Sequence, residues 1–210
     1  ERREMLAGLT HDLRAPLTRL RLRLALLEND GERAGLVRDI DDMERIVGQC
    51  LAFLRSEDGE RTAEPLAIAG LLRDEIARQH ELGRPVDLTI AAAAERCRVA
   101  IAAGNLQRLL DNLIGNALQH GAPPVEVHLA MTGENVVALR VRDHGAGIAD
   151  TDRNRALDPF VQLDAARATD GSCGLGLAIV RRIAAASDGE LLLGDAPGGG
   201  LEVVVRLPTR

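Results

Sequence analysis

The chain has 210 residues, is 46% hydrophobic and carries a formal net charge of -6. It has no Trp or Tyr and two Phe, so its core must be aliphatic, and its acidic balance argues against nucleic acid as the main partner, because phosphate backbones select basic surfaces. Its three cysteines have no CxxC spacing, which indicates neither a zinc site nor a disulfide framework, and no apolar run reaches the roughly 18 residues of a membrane span.

The chain opens with "ERREML", already in helical pattern and without an initiator Met, and reads as a fragment of a longer protein. Leu6, Leu9, Leu13, Leu17, Leu20, Leu24 and Leu27 recur at spacings of three and four. On a helix they fall within about 80° of one another, one narrow stripe. "ENDG" at 28–31 is a turn. A second helical pattern follows over 33–56, through Leu36, Ile40, Met43, Val47, Cys50, Leu51 and Leu54. Two such helices on a short loop make an antiparallel hairpin, residues 1–57. Their apolar stripes are too exposed for a lone hairpin, and a homodimeric four-helix bundle is expected.

His11 lies roughly 160° from the centre of the first stripe and therefore faces solvent. Pro16 lacks the N–H that would pair with the carbonyl of Asp12, so the helix should bend there; an interior proline costs about 3 kcal/mol. Asp12 follows His11 directly. An imidazole nitrogen becomes nucleophilic when the proton on its other nitrogen is held, and an adjacent carboxylate can hold it. Spacing alone leaves that role and an ordinary solvated acid equally open.

Residues 58–65 are polar, contain Gly59 and Pro65 and read as a linker. Beyond them, over 66–210, the pattern becomes α+β. Helices are predicted over 67–80, 105–121 and 174–187. Strands are predicted over 86–91 and 96–101. Two hairpins are also expected, one of "VEVHLAM" and "NVVALRVRD" around "TGE" and a closing one of "GELLLGD" and "GLEVVVRL". The stretch 149–172 reads as flexible and strand-poor.

Several short segments of this second unit point to a phosphate-bearing ligand. In "DNLIGNALQHG", Asn112 and Asn116 share one helical face, where carboxamides offer acceptors to a metal and donors to phosphate. In "DHGAGI", Asp143 can accept from an exocyclic amine such as that of adenine, and Gly145 and Gly147 permit close backbone approach. In "SCGLGLAIV", Gly174 and Gly176 open a helix whose N-terminal N–H groups can meet phosphate oxygens. Arg167 stands where it can reach a terminal phosphate. No Walker-type GxxxxGK[ST] is present.

Taken in order, these segments resemble the bacterial sensor histidine kinases of the EnvZ-like class, over essentially the whole chain. "HDLRAPLTRLRL" resembles the H box, "DNLIGNALQHG" the N box, "DHGAGI" the first glycine box, "DPFVQLD" the F box and "GLGLAIV" the second glycine box. The resemblance implies a dimerisation and phosphotransfer hairpin joined to a Bergerat-type (GHKL) α/β sandwich that binds ATP and Mg2+. It implies that His11 accepts the phosphoryl group, assisted by Asp12, and that an aspartate on a response regulator receives it. Asn116 resembles the magnesium ligand and Asn112 its phosphate-side neighbour. Asp143 resembles the adenine reader, with Gly145, Gly147 and Ile148 beside it. Phe160 resembles the anchor of a lid, and Gly174, Leu175 and Gly176 the phosphate cradle; His120 and Arg167 are further nucleotide-binding candidates. The family further implies the cytoplasmic portion of an inner-membrane protein, tethered only through an N-terminal sensor region.

Two positions depart from the pattern. Ala15 stands where relatives often have Thr or Asn, implicated in orienting water for dephosphorylation of the partner, and its side chain cannot hydrogen-bond. Ser172 stands where relatives often have the first glycine of the second glycine box, and Ser disfavours positive φ. An ATPase module of the mismatch-repair or topoisomerase type would share the Asn and Gly segments but has no use for the H box. A non-catalytic scaffold would not need those segments intact.

Overall fold

The computed structural model describes residues 64–163 and 174–210, together with Leu20, Leu36, Val37, Ile40, Asp41, Met43, Val47 and Gly48. Those isolated N-terminal positions are helical. Ile40 is buried with Val37 and Val47 packed against it, while Leu36 and Met43 are exposed in the single chain.

From residue 64 onward the chain forms a two-layer sandwich. Strand β1 (Leu66–Ala67) leads into helix α1 (Ile68–Glu81), followed by β2 (Val86–Ile90), a 3-10 turn at Ala92–Ala94, and β3 (Arg98–Val99). Helix α2 (Ala103–His120) then crosses to β4 (Val125–Met131) and β5 (Val136–Arg142). Helices α3 (Asp150–Ala156) and α4 (Gly176–Ala186) precede the closing strands β6 (Glu190–Asp195) and β7 (Leu201–Pro208). The main sheet has the order β2-β4-β5-β7-β6, and β1 pairs with β3 in a separate two-stranded ribbon. Among the described strands only β2 and β4 pair in parallel, which is why a long crossover carrying α2 separates them.

Strand alternation sends one set of side chains inward. Val127, Leu129 and Met131 lie opposite Val141, Leu139 and Val137, and these lie opposite Val203, Val205 and Leu207. The helices cover this face with aliphatic stripes, Leu106, Leu109, Leu110, Leu113, Ile114 and Ala117 from α2 and Ala178, Ile179, Val180, Ile183 and Ala184 from α4. Apart from Ala178, all belong to or pack against one apolar core. The outer face is polar, with charges paired across strands: Glu126 with Arg142 at 3.2 Å and Glu190 with Arg206 at 2.9 Å.

One buried carboxylate lies between α1 and α2. The Glu75 side chain is 1% exposed. It accepts from Arg78 Nε and Nη2 at 2.9 and 2.7 Å, from Gln79 at 2.5 Å and, across to α2, from Gln107 at 2.6 Å. Arg78 also reaches Asp111 of α2 at 2.8 Å. Burial would raise the Glu75 carboxyl, but the bonds from Arg78, Gln79 and Gln107 and the Arg78 charge outweigh it and hold the group below its ordinary 4.5.

Two local expectations change. Residues 96–101 give only the short β3, which pairs with the unexpected β1 rather than with β2. Within the stretch read as flexible, 150–156 form α3. It has no apolar stripe, since only Ala156 is buried. It is held instead by acids in its first turn and bases in its last, through the Asp150–Arg153 and Asp152–Arg155 pairs. Among the described residues no helix is long and apolar enough to cross a membrane.

Because the folded Glu75 carboxyl sits below its unfolded value, its contribution is full above the unfolded value and is lost as pH falls through the folded one. Glu75→Gln should therefore cost about 1–3 kcal/mol near neutral pH, less the part owed to half-exposed Arg78. The gap to wild type should close on acidification, as read by urea midpoints across the acid range; a gap that is constant with pH would refute the ionised role.

Candidate nucleotide site

The functional candidates converge where α2, the end of β5, the turn before β7 and the start of α4 meet. A cavity of about 240 Å³ opens there, lined among others by Leu113, Asn116, Asp143, Gly147, Ile148 and Gly176. That is close to the lower end of small-molecule pockets, roughly 300–1,000 Å³. Its walls mix aliphatic side chains (Leu113, Ala117, Val141, Ile148, Leu201, Val203) with a few polar groups.

Asp143 lies just past β5 and is 6% exposed. Its Oδ1 accepts from the backbone N–H of Gly145 at 2.8 Å and of Leu201 at 3.2 Å. Its own N–H donates to the Leu201 carbonyl at 3.1 Å. Its Oδ2 accepts no hydrogen bond among the described residues. One oxygen is thus fixed by the chain, and the other remains for whatever occupies the cavity.

Close packing surrounds this carboxylate. A Cβ on Gly121 would stand 2.4 Å from Asp143 Cβ, and one on Gly145 would stand 2.7 Å from Gly121 Cα. Gly200 has φ +99, and a Cβ there would lie 2.0 Å from the Asp143 carbonyl, so no L side chain fits. Gly145 therefore serves the wall behind Asp143 and does not line the cavity, whereas Gly147 does.

Along α2, Asn112, Asn116 and His120 recur every four residues at the margin of the buried stripe, as a helix near 100° per residue requires. Asn112 donates through Nδ2 to the Arg108 carbonyl at 2.7 Å, which leaves its Oδ1 turned toward α4. A Cβ on Gly176 would meet Asn116 at 3.0 Å and Asn112 Oδ1 at 3.3 Å. The first turn of α4 thus abuts the asparagine pair. Its N-cap, Leu175, supplies no side-chain hydrogen bond. Among the described residues the first α4 bond runs from Ile179 N to the Leu175 carbonyl, and the amides before it are of the kind a helix start presents to an anion.

Asn116, His120, Asp143, Gly147, Ile148, Gly174, Leu175 and Gly176 line the cavity together. Asn112 stands one turn from it along α2. Phe160 does not line it: the residue is 63% exposed and its φ is +66. Its N–H donates to the Gly174 carbonyl at 3.0 Å. Gly174, at φ +66, would place a Cβ 2.5 Å from the Val161 carbonyl, so the two described ends of the segment between them are pinned together. His11, Asp12, Ala15, Arg167 and Ser172 lie outside the described residues. Sequence reasoning missed Gly121, Gly200, Leu201 and Ala156; the run "APGGG" before β7 was the available signal for Gly200. Among the described residues no cluster of three or more His, Cys, Asp or Glu could hold a metal.

Residues 102–210 match the family model described as histidine kinase-, DNA gyrase B-, and HSP90-like ATPase, and residues 1–59 match the His Kinase A (phospho-acceptor) domain. The chain belongs to the histidine kinase family. Sensor protein RstB of Escherichia coli K12 is 33% identical over 205 residues, 95% of this chain and 47% of RstB. Sensor histidine kinase CpxA of the same organism is 29% identical over 214 residues, 97% of this chain and 46% of CpxA. This histidine kinase chain spans about half the length of the relatives it matches. Among solved structures, full-length ShkA in complex with AMPPNP superposes with a TM-score of 0.76 at 31% identity, over 98% of this chain and 46% of that one. The histidine kinase domain of the E. coli osmosensor EnvZ gives 0.52 at 31% identity, over 70% of this chain and 88% of that one.

An alanine just past α2 and another within it should separate site from scaffold in this chain. Gly121→Ala must displace Asp143 and should abolish nucleotide binding. Gly115→Ala, where an added Cβ meets nothing within 4 Å, should raise stability by about 0.5–1 kcal/mol. Calorimetric titration with nucleotide and thermal melts read the two effects; intact binding in Gly121→Ala would contradict the packing argument.

Proposed function

We propose that this chain binds ATP with Mg2+ in the cavity beside Asp143, phosphorylates His11, and passes the phosphoryl group to an aspartate of a response regulator. The observation that carries this reading is the division of labour in Asp143. Its fixed Oδ1 and its unclaimed Oδ2, set in an aliphatic slot, suit a flat base bearing an amino group. The uncapped start of α4, facing Asn112 and Asn116, suits a polyphosphate leaving that slot.

Asp143 would accept from the exocyclic amine of adenine, with Leu113, Val141, Ile148 and Val203 excluding water from the base. The α4 amides and Gly176 would hold the phosphates, since hydrogen there leaves room that a methyl group would take from Asn116. Asn116 would supply a carbonyl oxygen to Mg2+, which when bound neutralises phosphate charge. Phosphoryl transfer needs positioning and charge neutralisation more than covalent help. The bond from the γ-phosphorus to the β,γ-bridging oxygen breaks and a bond to an imidazole nitrogen of His11 forms, with Asp12 holding the proton on the other nitrogen.

Residues 1–57 would form the dimeric phosphotransfer hairpin, 58–65 the linker and 66–210 the catalytic domain. The protein is read as the cytoplasmic part of a bacterial inner-membrane sensor. Ala15 suggests weak phosphatase activity toward the phosphorylated regulator.

Asp143→Asn tests the adenine assignment cleanly. The asparagine can keep its oxygen on Gly145 and Leu201 but presents an N–H2 donor where the ligand amine also donates. ATP affinity should fall by the worth of a charge-assisted bond, about 1.5–3 kcal/mol, with thermal stability nearly kept. Unchanged affinity would remove the assignment. Asn116→Ala should abolish magnesium-dependent autophosphorylation while the chain stays folded. Acid-labile labelling from γ-labelled ATP should vanish in His11→Gln; label persisting in that variant would exclude His11 as the acceptor.

A further inference from the structure

Arg153 is absorbed by none of the sequence segments that point to the nucleotide. It lies in α3, its side chain is 19% exposed, and its guanidinium joins three elements. Nε donates to the Ile148 carbonyl at 3.1 Å. Nη2 donates to Asp195 Oδ1 at 2.5 Å, at the end of β6. Nη1 pairs with Asp150. Arginine's planar fork can serve separate acceptors at once, which lysine's point charge cannot.

The acceptors matter because of what they carry. Ile148 and its neighbour Gly147 line the cavity, as does Ala156 at the end of α3. A Cβ on Gly147 would stand 3.1 Å from the Gly200 carbonyl and 3.9 Å from Asp195 Oδ1. The loop after Asp143 is therefore laid against the turn that follows Asp195, and Arg153 closes the junction from outside. That same turn supplies the Leu201 N–H that fixes Asp143 Oδ1.

We propose that Arg153 is a positioning residue for the base end of the site: through the Ile148 carbonyl and Asp195 it holds the Gly147–Ile148 wall at the spacing that a bound adenine needs. This rests on the nucleotide reading above. Arg153 touches no ligand and acts only through the loop it clamps.

Affinity of the whole chain for ATP, read by displacement of trinitrophenyl-ATP, tests the role in a protein without Trp or Tyr. Arg153→Ala should weaken ATP binding roughly tenfold, the scale on which supporting residues act on a site. Asp195→Asn should weaken it in the same direction. The double variant should be no worse than Arg153→Ala, because both remove one junction. In autophosphorylation the KM for ATP should rise by more than kcat falls, a split that a loss of folded protein does not produce. If Arg153→Ala fails to fold, Asp195→Asn alone decides, with its melting temperature as the check. Wild-type affinity in either folded single variant, or losses that multiply in the double, overturns the role. Asp143→Asn in the same assay separates the two claims. If it weakens binding while Arg153→Ala does not, Arg153 alone is rejected; if it leaves binding unchanged, the nucleotide reading and this role fail together.

Discussion

Asp143 sits at the end of β5 with one carboxylate oxygen bound to the chain's own backbone at Gly145 and Leu201. A buried carboxyl group without hydrogen-bond partners is costly. The two N–H groups solve that problem and, in doing so, fix the second oxygen in one direction. They also tie three segments together: the loop after β5, the turn before β7 and, through contact with Gly121, the end of α2. The cavity is the space these segments leave once they have converged on the carboxylate.

That convergence dictates the glycines around it. Backbone from α2, from the loop after β5 and from the β6–β7 turn must pass within a Cβ's reach of Asp143, and at Gly200 the required φ excludes side chains outright. The same logic returns at Gly176, where the start of α4 comes close enough to the asparagines that a methyl group would press on Asn116. These glycines are spacers whose missing atoms define the site's shape. Arg153 acts from the other side of the same junction, drawing Ile148 toward Asp195.

Polar groups away from the cavity follow the opposite rule. Glu75 is as buried as Asp143, yet both its oxygens are taken by Arg78, Gln79 and Gln107. It therefore seats α1 on α2 and offers nothing to a ligand. The contrast between a saturated carboxylate and a half-saturated one separates scaffold from site within a single aliphatic core. The helix starts of this unit all lack a side-chain cap, and that of α4 opens onto the cavity beside Asn116.

Much of this was legible in the residues before any coordinates. The 3.6-residue spacing of Leu106, Leu109, Leu110, Leu113 and Ala117 announced α2, and the alternation through β4, β5 and β7 announced the hairpins, because periodic burial writes itself into periodic hydrophobicity. Asn116, Asp143, Gly147 and Gly176 were recognisable because each belongs to a short contiguous motif. Helix α3 was not, since it is held by ion pairs and buries only Ala156. Nor were Gly121, Gly200, Leu201 and Arg153 assigned a place at the site, because their importance lies in pairings across 22 to 58 positions of chain, which local pattern does not encode. The sequence by itself determined most of the helices and strands and which residue types could meet a nucleotide. Only the tertiary structure decided that one oxygen of Asp143 is held and the other left open, because that depends on backbone N–H groups brought together by folding, and a backbone N–H is the same at every non-proline residue.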